Sequence, residues 1–265
     1  MESVDTTGRG PFRQVCAVVP ALDEEGSIGP VIERLSALGI GRVVIGDNGS
    51  TDRTAAIATA AGAMVVAASR RGYGSACQAA LAAVPADMVA VVFCDADGAD
   101  DLDRLAEVVG PVLSGDYDLV IGSRVLGGGE RGALTWPQRM GNLVAAAMMR
   151  VLYRARVTDL GPFRCVSTRA LEAMAMRDPA FGWTAEMQVK AYRLRLRVME
   201  VPVRALARTA GTSKISGRFV PVFLAGWAIL STIWRYRSTP LPGAQTCQRA
   251  SAPARRTCED LRHLR

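Results

Sequence analysis

The 265-residue chain has one histidine, His263, at its far end. Histidine-based proton transfer or metal ligation is thereby all but excluded. Six cysteines occur: Cys16, Cys77, Cys94, Cys165, Cys247 and Cys258. No two form a Cys-x-x-Cys pair. A zinc cage or disulfide framework needs closer clustering, so those in apolar segments read as small core residues. Aromatics make up 6% of the chain, and no aromatic-basic platform is present, which argues against nucleic acid. No secretory signal opens the chain. Residues 1–14 are polar and Gly-rich and read as a flexible leader. The most apolar run, Phe219 to Trp234, has 16 residues and is broken by Pro221. A bilayer span needs about 20. The expectation is a cytoplasmic protein, peripheral at the inner face of the cell membrane. No internal repeats are found.

What is present is a globular composition, 49% hydrophobic with 26 Gly, and a formal net charge of +7. Such excess basic charge implies an anionic partner: nucleotide phosphates, nucleic acid or an anionic membrane surface. The most informative stretch is Val89 to Gly98, an apolar run ending in Asp95-Ala96-Asp97-Gly98. The run has the composition of a fully buried strand. In an open parallel sheet, ligands bind at the carboxyl ends of strands, where Asp95 and Asp97 would sit. Two hard oxygen ligands there suit Mg²⁺ or Mn²⁺ shared with phosphate oxygens. A solvated Asp-Gly turn is the plainer alternative.

Short apolar runs alternate with helical patterns through the first half. Strands are expected at Val15–Pro20, Arg42–Gly46, Ala63–Ala67, Val89–Cys94 and Leu119–Gly122. Helices are expected after Ser27, as a possible N-cap, at Ala55–Ala61, from Gly72 to about Ala83, and at Asp101–Leu113. This alternation predicts an α/β fold with a doubly wound, mostly parallel sheet. The second half reads as a mobile loop from Gly127, then helices at Pro137–Tyr153 and Thr184–Arg193. Val198 to Val203, containing Pro202, suits a strand near an edge. Two more acidic clusters end neighbouring strands: Asp23-Glu24-Glu25, and Asp47-Asn48-Gly49-Ser50-Thr51-Asp52. Each also has a bland reading as helix flank or turn, with Ser50 or Thr51 capping the next helix.

In order, the chain carries Pro20-Ala21-Leu22-Asp23-Glu24-Glu25, Asp47-Asn48-Gly49-Ser50-Thr51-Asp52-Arg53-Thr54, Gly72-Tyr73-Gly74-Ser75-Ala76 and Asp95-Ala96-Asp97-Gly98. This series resembles the family 2 glycosyltransferases of GT-A fold, and within them the polyprenyl (dolichyl) phosphate mannosyl- and glucosyltransferases. The resemblance runs from about Val15 to Gly217. It implies that Pro20, Leu22 and Glu24 border the nucleoside and that Asp47 hydrogen-bonds the base. It implies that Gly72 and Gly74 let the backbone pass close to the nucleotide. Asp95 and Ala96 would flank the nucleotide, with Asp95 and Asp97 holding Mg²⁺ or Mn²⁺. Ser123 and Arg124 match the family's Gly-Ser-Arg, with Arg124 facing phosphate.

On the acceptor side, Asp159-Leu160-Gly161-Pro162-Phe163-Arg164 and Gly182 to Gln188 match motifs of that branch. Arg208 to Lys214 forms an Arg-x-x-Gly-x-Ser-Lys segment suited to clamping phosphate. Arg164, Arg208, Ser213 and Lys214 are thus implied acceptor ligands. Asn48, Arg53 and Ala99 depart from the pattern of many relatives; Asp100 or Asp101 could compensate at the metal. The implied reaction is inverting transfer of a hexose from a GDP- or UDP-sugar to a polyprenyl phosphate. A hydroxyl acceptor would need a base, for which Asp159 and Glu186 are the candidates. The alternatives are a glycosyltransferase with a soluble or polysaccharide acceptor, a nucleotidyltransferase, or a non-catalytic nucleotide-sugar binding protein. The domain plan is a leader (1–14) and a GT-A domain (15–217). The latter divides into a nucleotide-sugar half (15–125) and an acceptor half (126–217). An apolar helix that could lie at an interface (218–237) and a loose basic tail (238–265) follow.

Overall fold

A computed structural model describes residues 10–128, 136–208 and 219–240. Its longest strand is β1 (Phe12–Ala21), whose residues Val15 to Ala21 are all buried. An unbroken apolar run forms a strand covered on both faces, and β1 accordingly has parallel neighbours on each side. These are β2 (Ile40–Asp47) and β4 (Ala90–Phe93). With β3 (Met64–Ala67), β5 (Leu119–Ser123), β6 (Arg164–Ser167) and β7 (Val198–Pro202), they make one sheet of order β3-β2-β1-β4-β6-β5-β7. β6 alone is antiparallel to its neighbours. The fold is the expected mostly parallel α/β sheet, with β7 at an edge as Pro202 requires.

β1 begins at Phe12, so residues 12–14, expected in the leader, already pair with the sheet. Residues 1–9 and 241–265, and with them most of the leader and tail, lie outside the described residues.

α1 (Ile28–Ala37) buries Ile28, Val31, Ile32 and Leu35 at helical spacing. With α4 (Leu105–Leu113) it covers one face of the sheet. α3 (Tyr73–Leu81), α7 (Thr168–Met174) and α8 (Trp183–Arg193) cover the other, where Trp183 packs edge-on against Phe93. Two expected caps differ. Ser27 precedes α1, but its hydroxyl donates to Glu24 and caps nothing. Asp52, rather than Ser50 or Thr51, accepts from the first N–H of α2 (Thr54–Ala60).

α5 (Arg124–Gly127) turns directly out of β5. Gly127 thus closes a helix, and most of the loop expected from it falls on residues 129–135, which lie outside the described ones. A third cluster joins α6 (Trp136–Tyr153), α8 and α9 (Phe219–Arg235) through Ala145, Met149, Ala185, Val189, Ile233 and Tyr236. α9 is thus packed along one side and open on another: Ile233 is fully buried, whereas Trp227 is 73% and Trp234 56% exposed. α6 also exposes apolar residues, notably Trp136, Leu143 and Val151. No described helix is long and apolar enough to cross a membrane.

Candidate active site

Parallel pairing sets the carboxyl ends of β1, β2 and β4 side by side. Ala21 lies opposite Asp47, and Val18 opposite Phe93. The three acidic clusters therefore share one rim. The two loops after β1 and β2 are stitched together. Asp23 accepts from the Thr51 backbone N–H at 2.7 Å, the Asp23 N–H donates to Ser50 at 3.0 Å, and the Glu24 N–H donates to Thr54 at 2.7 Å. Asp23 adopts a left-handed conformation, φ +46°, to make these bonds. Asp47 Oδ1 accepts from the Ser50 N–H at 3.1 Å, which aims the carboxylate along the loop. Pro20 is buried at the strand end beside Gly46, and Leu22 is half-buried above it.

The neighbouring Asn48 clamps the next loop, its Oδ1 accepting from the Gly72 N–H at 2.8 Å. Gly72 and Gly74 differ from the expectation. A Cβ on Gly72 would lie 2.1 Å from the Pro179 carbonyl oxygen, and one on Gly74 only 1.9 Å from that of Asp178. The close approach they permit is thus to the 178–180 backbone, which the Gly74 and Ser75 N–H groups bond.

After β4 the chain turns through Asp95, Asp97 and Gly98, with Ala96 tucked into the core. Asp95 accepts from the Tyr73 hydroxyl at 3.2 Å, and its N–H donates to Asp100 at 2.7 Å. Burial, then the nearby Asp97 charge, pushes Asp95 up to about 7. Burial and Asp95 raise Asp100 as well. Negative charge is crowded at this corner of the rim. Asp97 Oδ2 meets the Arg208 guanidinium at 2.9 Å, and Glu24 lies 3.6 Å from the same group. Asp101 bonds Arg204 through both oxygens, which lowers its pKa and leaves Asp100 as the residue beside Asp95.

Two hard carboxylates at a crowded rim fit Mg²⁺ or Mn²⁺. Among the described residues no group of three or more His, Cys, Asp or Glu side chains forms a cage. The remaining ligands would be diphosphate and water oxygens, as is usual for such ions.

Across the rim, β5 delivers Ser123 and Arg124. Arg124 forks onto Asp159, with Nε at 2.8 Å from Oδ2 and Nη2 at 2.8 Å from Oδ1. Burial alone would raise Asp159, but these bonds hold it below the usual carboxylate range. The same pairing outweighs the burial of Arg124 and keeps it firmly charged. Ser123 is buried, accepts from the Leu126 N–H and lies 2.7 Å from the Thr158 hydroxyl. Its hydroxyl is therefore committed within the protein.

Two further expectations are corrected. Arg164 is fully buried and donates to the carbonyls of Gly161 and Thr184, so it braces the loop rather than presenting a phosphate ligand. Burial lowers it to about 10. Glu186 is also fully buried. It pairs with Lys190 at 2.7 Å and accepts from the Arg177 and Asp178 N–H groups and the Tyr236 hydroxyl. It ties α8 to α9 and has no access to an acceptor. Ser213 and Lys214 lie outside the described residues.

The sequence reading overlooked Tyr73 and Arg204. Tyr73 sits within the quoted Gly-Tyr-Gly, which was the available signal; nothing local marks Arg204.

The model of glycosyl transferase family 2 matches residues 16–178. An uncharacterised glycosyltransferase of Mycobacterium bovis is 37% identical over 223 residues, 82% of this chain and 98% of that protein. A dolichyl-phosphate hexose transferase of Haloferax volcanii is 30% identical over 211 residues, 77% of this chain and 87% of its own. Among solved structures, glucosyl-3-phosphoglycerate synthase of Mycobacterium tuberculosis, in complex with Mn²⁺, UDP and phosphoglyceric acid, superposes with a TM-score of 0.67. It is 25% identical and covers 89% of this chain and 81% of that one.

Proposed function

From the premise that this chain belongs to glycosyl transferase family 2 and is a hexosyltransferase, we propose that it moves a hexose from a nucleotide-sugar to a polyprenyl phosphate with inversion. The observation that carries this reading is the state of the two carboxylates that could serve a hydroxyl acceptor. Asp159 is locked to Arg124 and Glu186 is sealed in the core. A poor proton acceptor and an inaccessible one favour an acceptor already ionised, as a phosphate is.

In this reading Asp47 and the loop after β1 bind the nucleoside. Asp95 and Asp97 would hold Mg²⁺ or Mn²⁺, which when bound neutralises the leaving diphosphate. Arg208 leaves Asp97 for the phosphates, and Arg124, fixed by Asp159, adds positive charge where the anomeric bond breaks. The Mn²⁺ and UDP of the solved relative and the name of the dolichyl-phosphate relative support the donor and the lipid. The exposed tryptophans of α6 and α9, with Arg235 and Arg237 near the end of α9, support a face that rests on a membrane.

The second reading, a small soluble acceptor, draws on the phosphoglyceric acid bound by the solved relative. A screen of UDP- and GDP-sugars with Mg²⁺ or Mn²⁺, offering undecaprenyl phosphate and phosphoglycerate in parallel, separates them. Transfer to phosphoglycerate alone rejects the lipid acceptor.

A further inference from the structure

Behind the Arg124–Asp159 pair the surface opens into a cavity of about 640 Å³ between the end of α6 and β7. Its walls include Arg150, Arg154, Arg156, Thr158 and Glu200. Among the described residues, no ion pair or side-chain hydrogen bond engages any of the three guanidiniums. Elsewhere in the site arginines are matched with carboxylates, as Arg124 is with Asp159 and Arg204 with Asp101.

The one acid in the cavity wall, Glu200, is already engaged. Glu200 accepts from the Thr158 N–H at 2.9 Å, the Thr158 hydroxyl at 2.7 Å and the Asp159 N–H at 3.3 Å. Its oxygens are thus occupied by the Thr158 and Asp159 donors, and three cations stand against this one anion around the opening. Arg154 also stands in a left-handed conformation, φ +53°, one that glycine adopts without penalty at helix ends, so glycine can replace it there without disturbing the turn.

We propose that this cavity binds a phosphate-bearing ligand. Three forks around one opening match the several oxygens of a phosphate better than a single carboxylate, and guanidinium geometry suits bidentate contact. Thr158 lies between the cavity and Ser123, the residue before Arg124. The site is separate from the Asp95–Asp97 rim and does not depend on glycosyl transfer. The phosphate could belong to a lipid head group or to a free phosphorylated molecule.

The full-length chain is titrated with inorganic phosphate in the absence of divalent cations, with binding followed by ³¹P line broadening. The variants are Arg156→Gln and the double variant Arg154→Gly, Arg156→Gln; glycine at 154 keeps the left-handed turn. Circular dichroism checks that each is folded. The double variant is expected to lose phosphate affinity by roughly tenfold or more, while Mn²⁺-dependent UDP affinity stays as in the parent. Flotation with phosphatidylcholine vesicles, with and without phosphatidylglycerol, identifies the source. Loss of phosphate affinity with flotation unchanged assigns a free phosphorylated ligand; loss of both assigns a lipid phosphate where flotation falls further than in the equally charged control Arg13→Gln, Arg169→Gln, and otherwise a free phosphorylated ligand. Equal phosphate affinity in parent and double variant overturns the site, whatever flotation shows, since removing two surface cations weakens vesicle attraction by itself. Failure of the parent to bind UDP would count against the glycosyl-transfer reading and leave this site standing.

Discussion

Single residues at the rim divide into those that face a ligand and those that hold the wall. Asp97→Asn removes a charged oxygen from the crowded rim. Turnover should fall about 10²-fold or more, with thermal stability unchanged; steady-state transfer at saturating metal checks it. Asp47→Ala should weaken nucleoside diphosphate binding by about 1.5–3 kcal/mol, the worth of a hydrogen bond to a charged group, as read by calorimetry. Glu186→Gln should do the opposite of a catalytic lesion. It strands Lys190, whose side chain is 2% exposed, and should cost about 3 kcal/mol of stability. Burial would raise Glu186, but Lys190, Tyr236 and the Asp178 N–H hold it below its usual value. Its stabilisation is present above the ordinary glutamate pKa of about 4.3 and fades as pH falls through the lowered one. The variant should therefore unfold at lower denaturant at pH 7 and lose that difference in acid, while turnover per folded molecule is retained.

At the scale of elements, the strands and helices of residues 15–123 were legible because each is a short apolar run or a clear helical stripe. The partners of those elements were harder to read. β6 spans four residues, Arg164 to Ser167, and its antiparallel place between β4 and β5 depends on pairing with distant strands. The short helix α7 was passed over, since its seven residues carry too few turns to show a period. Asp95, Asp97, Asp47 and Arg124 were legible as site candidates because motif spacing marks them. The burial of Arg164 and Glu186 was not, because a charged residue gives no local sign that its partners will enclose it. Gly72 and Gly74 stand out in the motif, but nothing local in the sequence announces their packing against Pro179 and Asp178. Gly74→Ala forces a Cβ to within 1.9 Å of the Asp178 oxygen. It should destabilise the protein by about 1–3 kcal/mol through overpacking and loosen α3 from the 178–180 segment. Hydrogen exchange at Ser75, whose N–H donates to Pro179, should rise by more than global unfolding accounts for.

For the whole molecule, the proposed membrane contact rests on the net charge of +7 and on the exposed apolar residues of α6 and α9. Replacing Trp227 and Trp234 by serine should halve or further reduce flotation with anionic vesicles and leave UDP affinity alone. Equal flotation would return α9 to the role of a packing helix. The sheet order carries a further consequence, for synthesis. β4 is buried at every position, yet its neighbour β6 leaves the ribosome roughly seventy residues later. At about 5–20 residues per second, that edge waits several seconds with its backbone unpaired and its valines uncovered. During that interval the nascent chain presents the kind of strand that other chains can join. The yield of the protein in a cell should accordingly depend on how quickly the acceptor half is translated, or on a chaperone that shields β4 until β6 arrives.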